Sequence, residues 1–343
     1  MKVIRTVFAL IVGLIVVAVS VPAIAALFGF AIPELDLLNH LQFLLFFGTL
    51  IALILALFVF GLRHWVPILA LLAFLSSAVT FVPVWLQTFA ARPPAGDAQT
   101  IKLVTHNLFG ANYDMVRVAA MIAEENPDII ALQEYFPEQV SMLDGLLRVK
   151  YPYNVRCEGG RRANIGLYSK IPFDTEMPSG DCPDGPSGQR TAHIIAGFTL
   201  PGRAHFNVMT THMDWPLPIA RQRDEFEVTA AAIKALDGPV IVVGDFNSTP
   251  WSYALRGFAD ETGLTRETHG QLTFPELVPT EYRKTMGTIP FLPLDQVFER
   301  GLTVHDLHVA KATGSDHLPI AVTFSVATKQ LGLPNRQNGR AGY

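Results

Sequence analysis

The sequence predicts an α/β domain, two packed sheets flanked by helices, carried behind three membrane-crossing helices. Three observations predict it. Long uncharged runs fill the N-terminal part of the chain; from Ile101 onward short apolar strand signals alternate with amphipathic helical ones; and several strand signals end in acidic, amide or imidazole side chains.

The 343 residues are 50% hydrophobic and only 16% charged, too apolar for an ordinary soluble chain. The excess is concentrated in 7–32, 41–62 and 65–87, each of which reaches the roughly 20 residues a helix needs to cross a bilayer core. Reading them as buried core helices would require three uncharged helices in succession within one small domain. In the first run Lys2 and Arg5 precede an apolar stretch containing Ala23-Ile24-Ala25, as in a cleaved leader. That stretch exceeds the usual leader core of about 7 to 15 residues, which favours an uncleaved anchor. Short cytoplasmic segments are enriched in Lys and Arg. Lys2 and Arg5 precede the first run and Arg63 lies between the second and third, whereas the first connection carries Glu34 and Asp36; Arg92 points weakly the other way. The expected arrangement is a multi-pass protein of the inner (cytoplasmic) membrane, N-terminus inside and C-terminal domain extracytoplasmic, whether or not the first run is cleaved.

Residues 1–92 form the anchor, 93–100 a Pro- and Ala-containing linker, and 101–326 the folded domain. Lys102 to Asn107 reads as a strand, Tyr113 to Glu125 as an amphipathic helix closed by Asn126-Pro127, and Asp128 to Glu134 as a buried strand. Further strands are expected over Asn164 to Ser169, Thr191 to Thr199, His205 to His212, Pro239 to Asp245, Leu294 to Glu299, Thr303 to Val309 and Leu318 to Ser325, with a helix over Ile219 to Leu236. The tail 327–343, rich in Gly, Asn, Gln and Arg, is expected to be disordered, and no internal repeat is visible. Cys157 and Cys182 are the only cysteines. In an oxidising compartment they can close a disulfide; two thiols in a loop-rich stretch can equally stay unpaired.

The strand ends carry chemistry that converges on metal-assisted phosphoester cleavage. Glu134 closes the apolar run Ile129 to Gln133, where a charge is costly unless it sits at the rim or is coordinated, and a carboxylate is the expected ligand for a hard cation such as Mg²⁺. Asn107 offers a carbonyl oxygen to the cation or a hydrogen bond to a carboxylate. Asp245 and Asn247 close the most apolar strand, and their period-two spacing sends both side chains to one face. Asp can take a proton from attacking water while Asn donates to a phosphoryl oxygen. The competing reading is a turn, with Asp and Asn chosen for backbone bonding beside Ser248, Thr249 and Pro250. Ser315-Asp316-His317 sets an acid and an imidazole at the mouth of the last strand; Asp295 is a candidate to orient that imidazole, and His212 is the second one. His193, His205, His305 and His308 read as satisfied core residues.

With these clusters in this order, 101–326 resembles the endonuclease/exonuclease/phosphatase superfamily, which includes DNase I-like nucleases, sphingomyelinases and inositol-phosphate phosphatases. Gln133-Glu134, Gly244-Asp245-Phe246-Asn247 and Ser315-Asp316-His317 carry the resemblance jointly. It implies a four-layer α/β/β/α sandwich and a Mg²⁺ (or Mn²⁺) ion held by Glu134 with support from Asn107 and Asp316. It further implies that Asp245 positions or deprotonates water, Asn247 binds the phosphate, and Asp295 pairs with His317. By the same resemblance His212 contacts the phosphate or aids the leaving group, and Arg190 is a basic residue near it. Phe109 stands where some DNA-repair members carry a metal-site Asp, so a second metal is not implied. The layout, three membrane helices before an external phosphoesterase domain, resembles bacterial membrane proteins linked to teicoplanin resistance, which implies envelope lipid-linked substrates.

Three functions are compatible with these residues. A metal-dependent phosphoesterase acting on a phosphomonoester, pyrophosphate or phosphodiester of a lipid-linked substrate fits the tether to the lipid bilayer. An extracytoplasmic DNase I-like nuclease fits the motifs too, but nucleic-acid binding carries a basic footprint. Here Lys and Arg number 26 against 30 Asp and Glu, and the domain's basic doublets are Arg161-Arg162 and Arg283-Lys284. A non-catalytic binding module would be expected to lack one of the key side chains, and all are present.

Overall fold

The structure is a computed structural model that describes residues 2–158, 162, 164–176, 182–183, 188, 190–202, 205–276 and 289–327. The expected disordered tail, apart from Ala327, and the doublet Arg283-Lys284 lie outside the described residues. The N-terminal part contains α1 (Lys2–Ala25), a short α2 (Pro33–Asp36) between two 3-10 turns, α3 (Gln42–Phe60) and α4 (Trp65–Gln87). The spans Lys2–Phe30, Pro33–Phe60 and Trp65–Gln87 are long and apolar enough to cross a membrane. The 19 residues of α3 rise about 28 Å, close to the roughly 30 Å of a bilayer core. Small side chains let the helices approach: Ala52, Ala56 and Ala70 are buried beside Val12, Val16 and Val66, while Leu14, Ile51, Phe58 and Leu72 face outward. The first run departs from one helix over 7–32. It is helical from Lys2 and gives way after Ala25 to the 3-10 turn Ala26–Phe30. Gly29 allows the chain to fold back there, because a Cβ on it would lie 2.8 Å from Asp36 Cα.

The rest of the chain forms β1 (Thr100–Asn107), α5 (Met115–Glu125), β2 (Ile129–Gln133), α6 (Pro137–Lys150), β3 (Tyr153–Cys157), β4 (Ile165–Ser169), β5 (Thr175–Glu176), β6 (His193–Thr199), β7 (His205–His212), α7 (Ile219–Lys234), β8 (Val240–Asp245), α8 (Tyr253–Thr262), β9 (Thr265–Arg266), β10 (Asp295–Arg300), β11 (Leu302–Val309) and β12 (Ile320–Val326). Two six-stranded sheets result, in the orders β11-β12-β1-β2-β4-β3 and β5-β6-β7-β8-β10-β9. Although the sequence shows no repeat, one arrangement occurs twice. A central parallel pair, β1–β2 through α5 or β7–β8 through α7, is flanked on both sides by antiparallel strands.

Strand alternation builds the layers. Ile101, Leu103, Ile129 and Ala131 point inward and meet Val208, Ile241, Val243 and Val297 of the other sheet. Val104, Ile130 and Leu132 point outward to Val118, Met121 and Leu143 of α5 and α6. Val240, Val242 and Phe298 likewise meet Phe226, Ile233 and Phe258 of α7 and α8. β2 and β8, buried on both faces, read as unbroken apolar runs, which is why they stand out in the sequence. The four-layer sandwich is the fold.

Periodicity misses α6 and α8: in α6 the exposed Met142, Leu146 and Val149 blur the apolar stripe, and α8 is only 10 residues long. Leu143 and Leu147 bury one face of α6, which Pro137 starts; Leu255, Phe258 and Thr262 bury α8, which Ser252 caps and Gly263 ends. Cys157 and Cys182 form a disulfide. His205 and His308 are not core residues. Both side chains are 42% exposed, His205 paired with Asp174 and His308 with Asp306 and Glu125. His308 and His305 lie on β11, an edge strand, and His305 is half-buried, bonded to Ser325 Oγ; of the four histidines only His193 is buried.

Candidate active site

Parallel pairing sets the last residues of β1 and β2 side by side, Asn107 against Gln133, and those of β7 and β8 likewise, His212 against Asp245. Beneath them Gln133 Nε2 donates to Thr105 Oγ1 at 3.1 Å and to Thr210 Oγ1 at 3.0 Å, joining the two sheets. The carboxyl ends of both parallel pairs therefore meet, the usual place for a ligand in parallel α/β sheets. The antiparallel partner β10 sets Asp295 opposite Asp245. The turn before β12 is fixed by Ser315, whose Oγ donates to Asn107 O at 2.7 Å and accepts from His317 N at 3.0 Å.

Asp245 is the hub. Its Oδ2 accepts from Asn107 Nδ2 at 2.9 Å and lies 3.6 Å from His212 Nε2 and 3.7 Å from His317 Nε2; its Oδ1 accepts from Asn247 N at 2.8 Å. His317 Nδ1 is 2.8 Å from Asp295 Oδ2, so the carboxylate fixes the ring and leaves Nε2 toward Asp245. Glu134 Oε2 accepts from Gly110 N at 2.7 Å, while Oε1 lies 3.4 Å from Asn107 Nδ2 and 3.9 Å from His212 Nε2. Asn247 Nδ2 donates to Met213 O at 2.9 Å, and among the described residues its buried Oδ1 has no hydrogen-bond partner. Gly244 must be glycine: its φ is +142° and a Cβ would fall 2.0 Å from Thr211 O. Phe109, Glu134 and Asn247 all hold positive φ, at 60°, 51° and 47°. Such strain persists where surrounding contacts over-determine it, and it clusters at functional sites.

Electrostatics separates the groups into roles. Burial, with Asp295 adding its charge, raises the Asp245 carboxyl well above the carboxylate range, against the opposing pull of His317 and of the Asn247 and Asn107 bonds. Burial lowers His317, yet the adjacent Asp295 and Asp245 carboxylates together outweigh it and hold the imidazole protonated above the histidine range. His212 goes the other way, lowered by burial and by the Arg162 and His317 charges, and stands as a neutral ring.

Arg162, half of a doublet in the sequence, sits over His212 with Nη1 3.3 Å from Nε2 and 3.9 Å from Glu134 Oε1. Asp214, wholly buried, holds it through Nη2 at 3.0 Å and also accepts from Arg221 Nη1 at 3.2 Å. Although burial opposes it, these guanidinium bonds lower the Asp214 carboxyl. Arg162 is at no strand-end motif; Asp214 lies two residues past His212, the end of β7, as Asn247 does past Asp245, and that spacing is the signal that could have found it. Arg190 has an exposed side chain and donates from Nη1 to Glu158 O at 3.1 Å. Asp316 is half-buried; its carbonyl accepts from Glu276 N at 2.7 Å, and its charge adds to the upward shift of His317.

Among the described residues one cluster and one separate carboxylate, that of Glu134, offer cation ligands, while the Asn107 amide turns Nδ2 toward Glu134 and accepts at Oδ1 from Phe109 N at 2.9 Å. Ligand atoms of Asp245, Asp295 and His317 lie within 4.8 Å of one another, but the His317 ring nitrogen nearest Asp295 is engaged in the hydrogen bond described. Glu134 presents a carboxylate that is 21% exposed, beside the amide of Asn107, at a cavity of about 170 Å³ lined by Glu134, Phe136, Arg162, Asn164 and His212. Oxygen donors without sulfur suit a hard divalent cation.

A UPF0294 protein of Klebsiella pneumoniae (strain 342) is 42% identical over 90 residues, 26% of this chain and 29% of that protein. The matched segments span 29% to 48% of the length of the curated relatives. A functionally unknown conserved protein from Enterococcus faecalis V583 has a TM-score of 0.54 at 14% identity, covering 66% of this chain and 100% of that one. An endonuclease/exonuclease/phosphatase family protein from Bacteroides thetaiotaomicron has a TM-score of 0.51 at 18% identity, covering 67% and 99%. At these identities the structural likeness is one of fold. Residues 104–317 match the Endonuclease/Exonuclease/phosphatase family, and the chain belongs to it.

Proposed function

We propose that this protein hydrolyses phosphoric esters with a divalent cation, and that its substrate is a lipid phosphate, pyrophosphate or head-group diester of the membrane that holds it. The observation that carries the reading is the meeting of Asn107, Glu134, His212, Asp245 and the Asp295–His317 pair at one end of the sandwich. Three membrane-length helices before the domain support a bilayer substrate, and the acidic balance of the chain disfavours a nucleic acid. The distribution of Lys and Arg around the helices supports a domain outside the inner membrane.

In this reading Glu134, with Asn107 and Asp316, would hold Mg²⁺ or Mn²⁺, which would offset charge on the phosphoryl oxygens. Asp245, whose carboxyl is raised toward neutrality, takes the proton of the attacking water. His317, kept protonated by Asp295, donates from Nε2 to a phosphoryl oxygen. Neutral His212 and Asn247 hydrogen-bond the same group, and Arg162, rather than Arg190, supplies its positive charge.

The test uses the full-length protein in nanodiscs with Mg²⁺ or Mn²⁺, offered a polyprenyl pyrophosphate, a phospholipid and plasmid DNA in parallel. Faster turnover of either lipid is expected. Cleavage of DNA alone would replace this reading with that of a nuclease, and turnover of none would remove it.

A further inference from the structure

We propose that the membrane anchor is a working part of the site: Asp36, in the first connection between membrane helices, positions the segment that carries Asp245 and Asn247. The functional half of this inference rests on the reading of that site given above.

The segment leaves β8 at Asp245, passes Asn247 and turns into α8 at Tyr253. Several of its residues meet the anchor. Thr249 N donates to His40 Nδ1 at 3.2 Å, and Thr249 Oγ1 donates to Asn39 O at 3.4 Å. Trp251, wholly buried, stacks on Phe81 of α4 with ring centroids 5.3 Å apart. Ser252 Oγ donates to Asp36 Oδ2 at 3.0 Å. The N–H groups of Tyr253 and Ala254 donate to Asp36 Oδ1 at 2.8 Å and Oδ2 at 3.0 Å.

These bonds share the capping of α8. Ser252 Oγ accepts from Leu255 N at 3.3 Å, and Asp36 accepts from the two N–H groups before it. The first three donors of the helix are thus satisfied, two of them by a carboxylate 217 and 218 residues earlier in the chain. A carboxylate is also the sign that the helix dipole favours at this end.

Asp36 is itself the end of a buried polar chain. Asn39 Nδ2 donates to Asp36 Oδ1 at 2.9 Å, Gln42 Nε2 to Asn39 Oδ1 at 2.9 Å, and Ser77 Oγ to Gln42 Oε1 at 2.8 Å, so the chain runs from the start of α8 into the contact between α3 and α4. All four residues are buried. Crossing a bilayer requires none of these groups, and polar side chains between membrane helices are expensive unless mutually satisfied. On the other side, Gln296 Nε2 donates to Ser248 O at 3.0 Å. Asn247, in its left-handed conformation, is therefore held between the sandwich and the anchor.

The experiment uses the full chain in nanodiscs, comparing wild type with Asp36→Ala, His40→Ala and, as a control, Arg92→Ala, which removes a different anchor–domain contact, the pairing with Glu267. Two readouts are taken: kcat and KM on bis(p-nitrophenyl) phosphate with Mn²⁺, and amide hydrogen exchange over 246–256. For Asp36→Ala, kcat is expected to fall about tenfold or more with KM within about twofold, since misplacing reacting groups acts on turnover. Exchange in 246–256 accelerates while β6 to β8 stay protected. His40→Ala shows the same pattern more weakly, so it carries the test if Asp36→Ala does not fold; Arg92→Ala changes neither readout. Wild-type kcat and exchange in both Asp36→Ala and His40→Ala, or an equal loss in Arg92→Ala, would overturn the proposal. If wild type does not turn over the diester, the proposed activity fails on that probe, and exchange alone decides whether Asp36 positions the segment.

Discussion

Replacing Glu225 by Gln is expected to stabilise the protein at neutral and alkaline pH. Glu225 is on α7, 9% exposed, and its Oε2 accepts from Asp214 N at 2.5 Å. Burial, with the Asp214 charge adding to it, raises its carboxyl from 4.5 to about 7 despite the Asp214 N–H bond and the nearby Arg162 and Arg221 charges. The folded state therefore holds this proton more tightly than the unfolded chain. Below about pH 4.5 both states are protonated and nothing is lost; between 4.5 and 7 stability falls as the unfolded chain ionises first; above 7 the loss is constant. At about 1.4 kcal/mol per tenfold change in proton affinity, the loss reaches about 3 kcal/mol. Glu225→Gln keeps an acceptor for Asp214 N and never ionises. Its melting temperature, measured by tryptophan fluorescence on the full chain, should equal that of wild type near pH 4 and exceed it by roughly 5 to 10 °C at pH 8. An equal or lower melting temperature at pH 8, or a gap that widens toward acid, would refute the reasoning.

Asp245→Asn and His317→Ala should each lower kcat by about two orders of magnitude with circular dichroism unchanged, and wild-type turnover in both would remove them from the chemistry. Arg162→Ala should raise KM about tenfold while Arg190→Ala leaves it unchanged, because Arg162 faces His212 and Glu134; Michaelis curves for the two variants decide. Asp295→Asn should move the alkaline limb of the pH–rate profile to lower pH. The Asp295 charge is the largest influence raising His317, so without it the imidazolium is lost earlier as pH rises; an unmoved limb would count against the assigned pair.

The sandwich was legible because β2 and β8 are buried on both faces and read as apolar runs, and because the last residues of the central strands are polar where apolar ones would continue. Asn107, Glu134, His212 and Asp245 stand out in that way; Asp295 begins β10, the antiparallel partner of β8, and His317 lies in the turn that leads into β12, the antiparallel partner of β1. Arg162 was not legible, since it reaches the site through its contact with Asp214 and not through a periodic position. Helix α8 carries local cap signals in Ser252 and Gly263 but is only 10 residues long; the part of its cap supplied by Asp36, more than 200 residues away in the chain, has no local signal. Histidines 205 and 308 were misplaced because alternation alone does not show which strands lie at an edge or where a strand begins.

The most direct measurement is phosphate or head-group release by wild type and Glu134→Gln, each stripped by a chelator and then given Mg²⁺ or Mn²⁺. Wild type should fall silent and recover, while Glu134→Gln stays inactive at cation concentrations that restore wild type. Turnover that survives chelation, or a Glu134→Gln protein that recovers as fully as wild type, would contradict a cation held at the ends of β1 and β2.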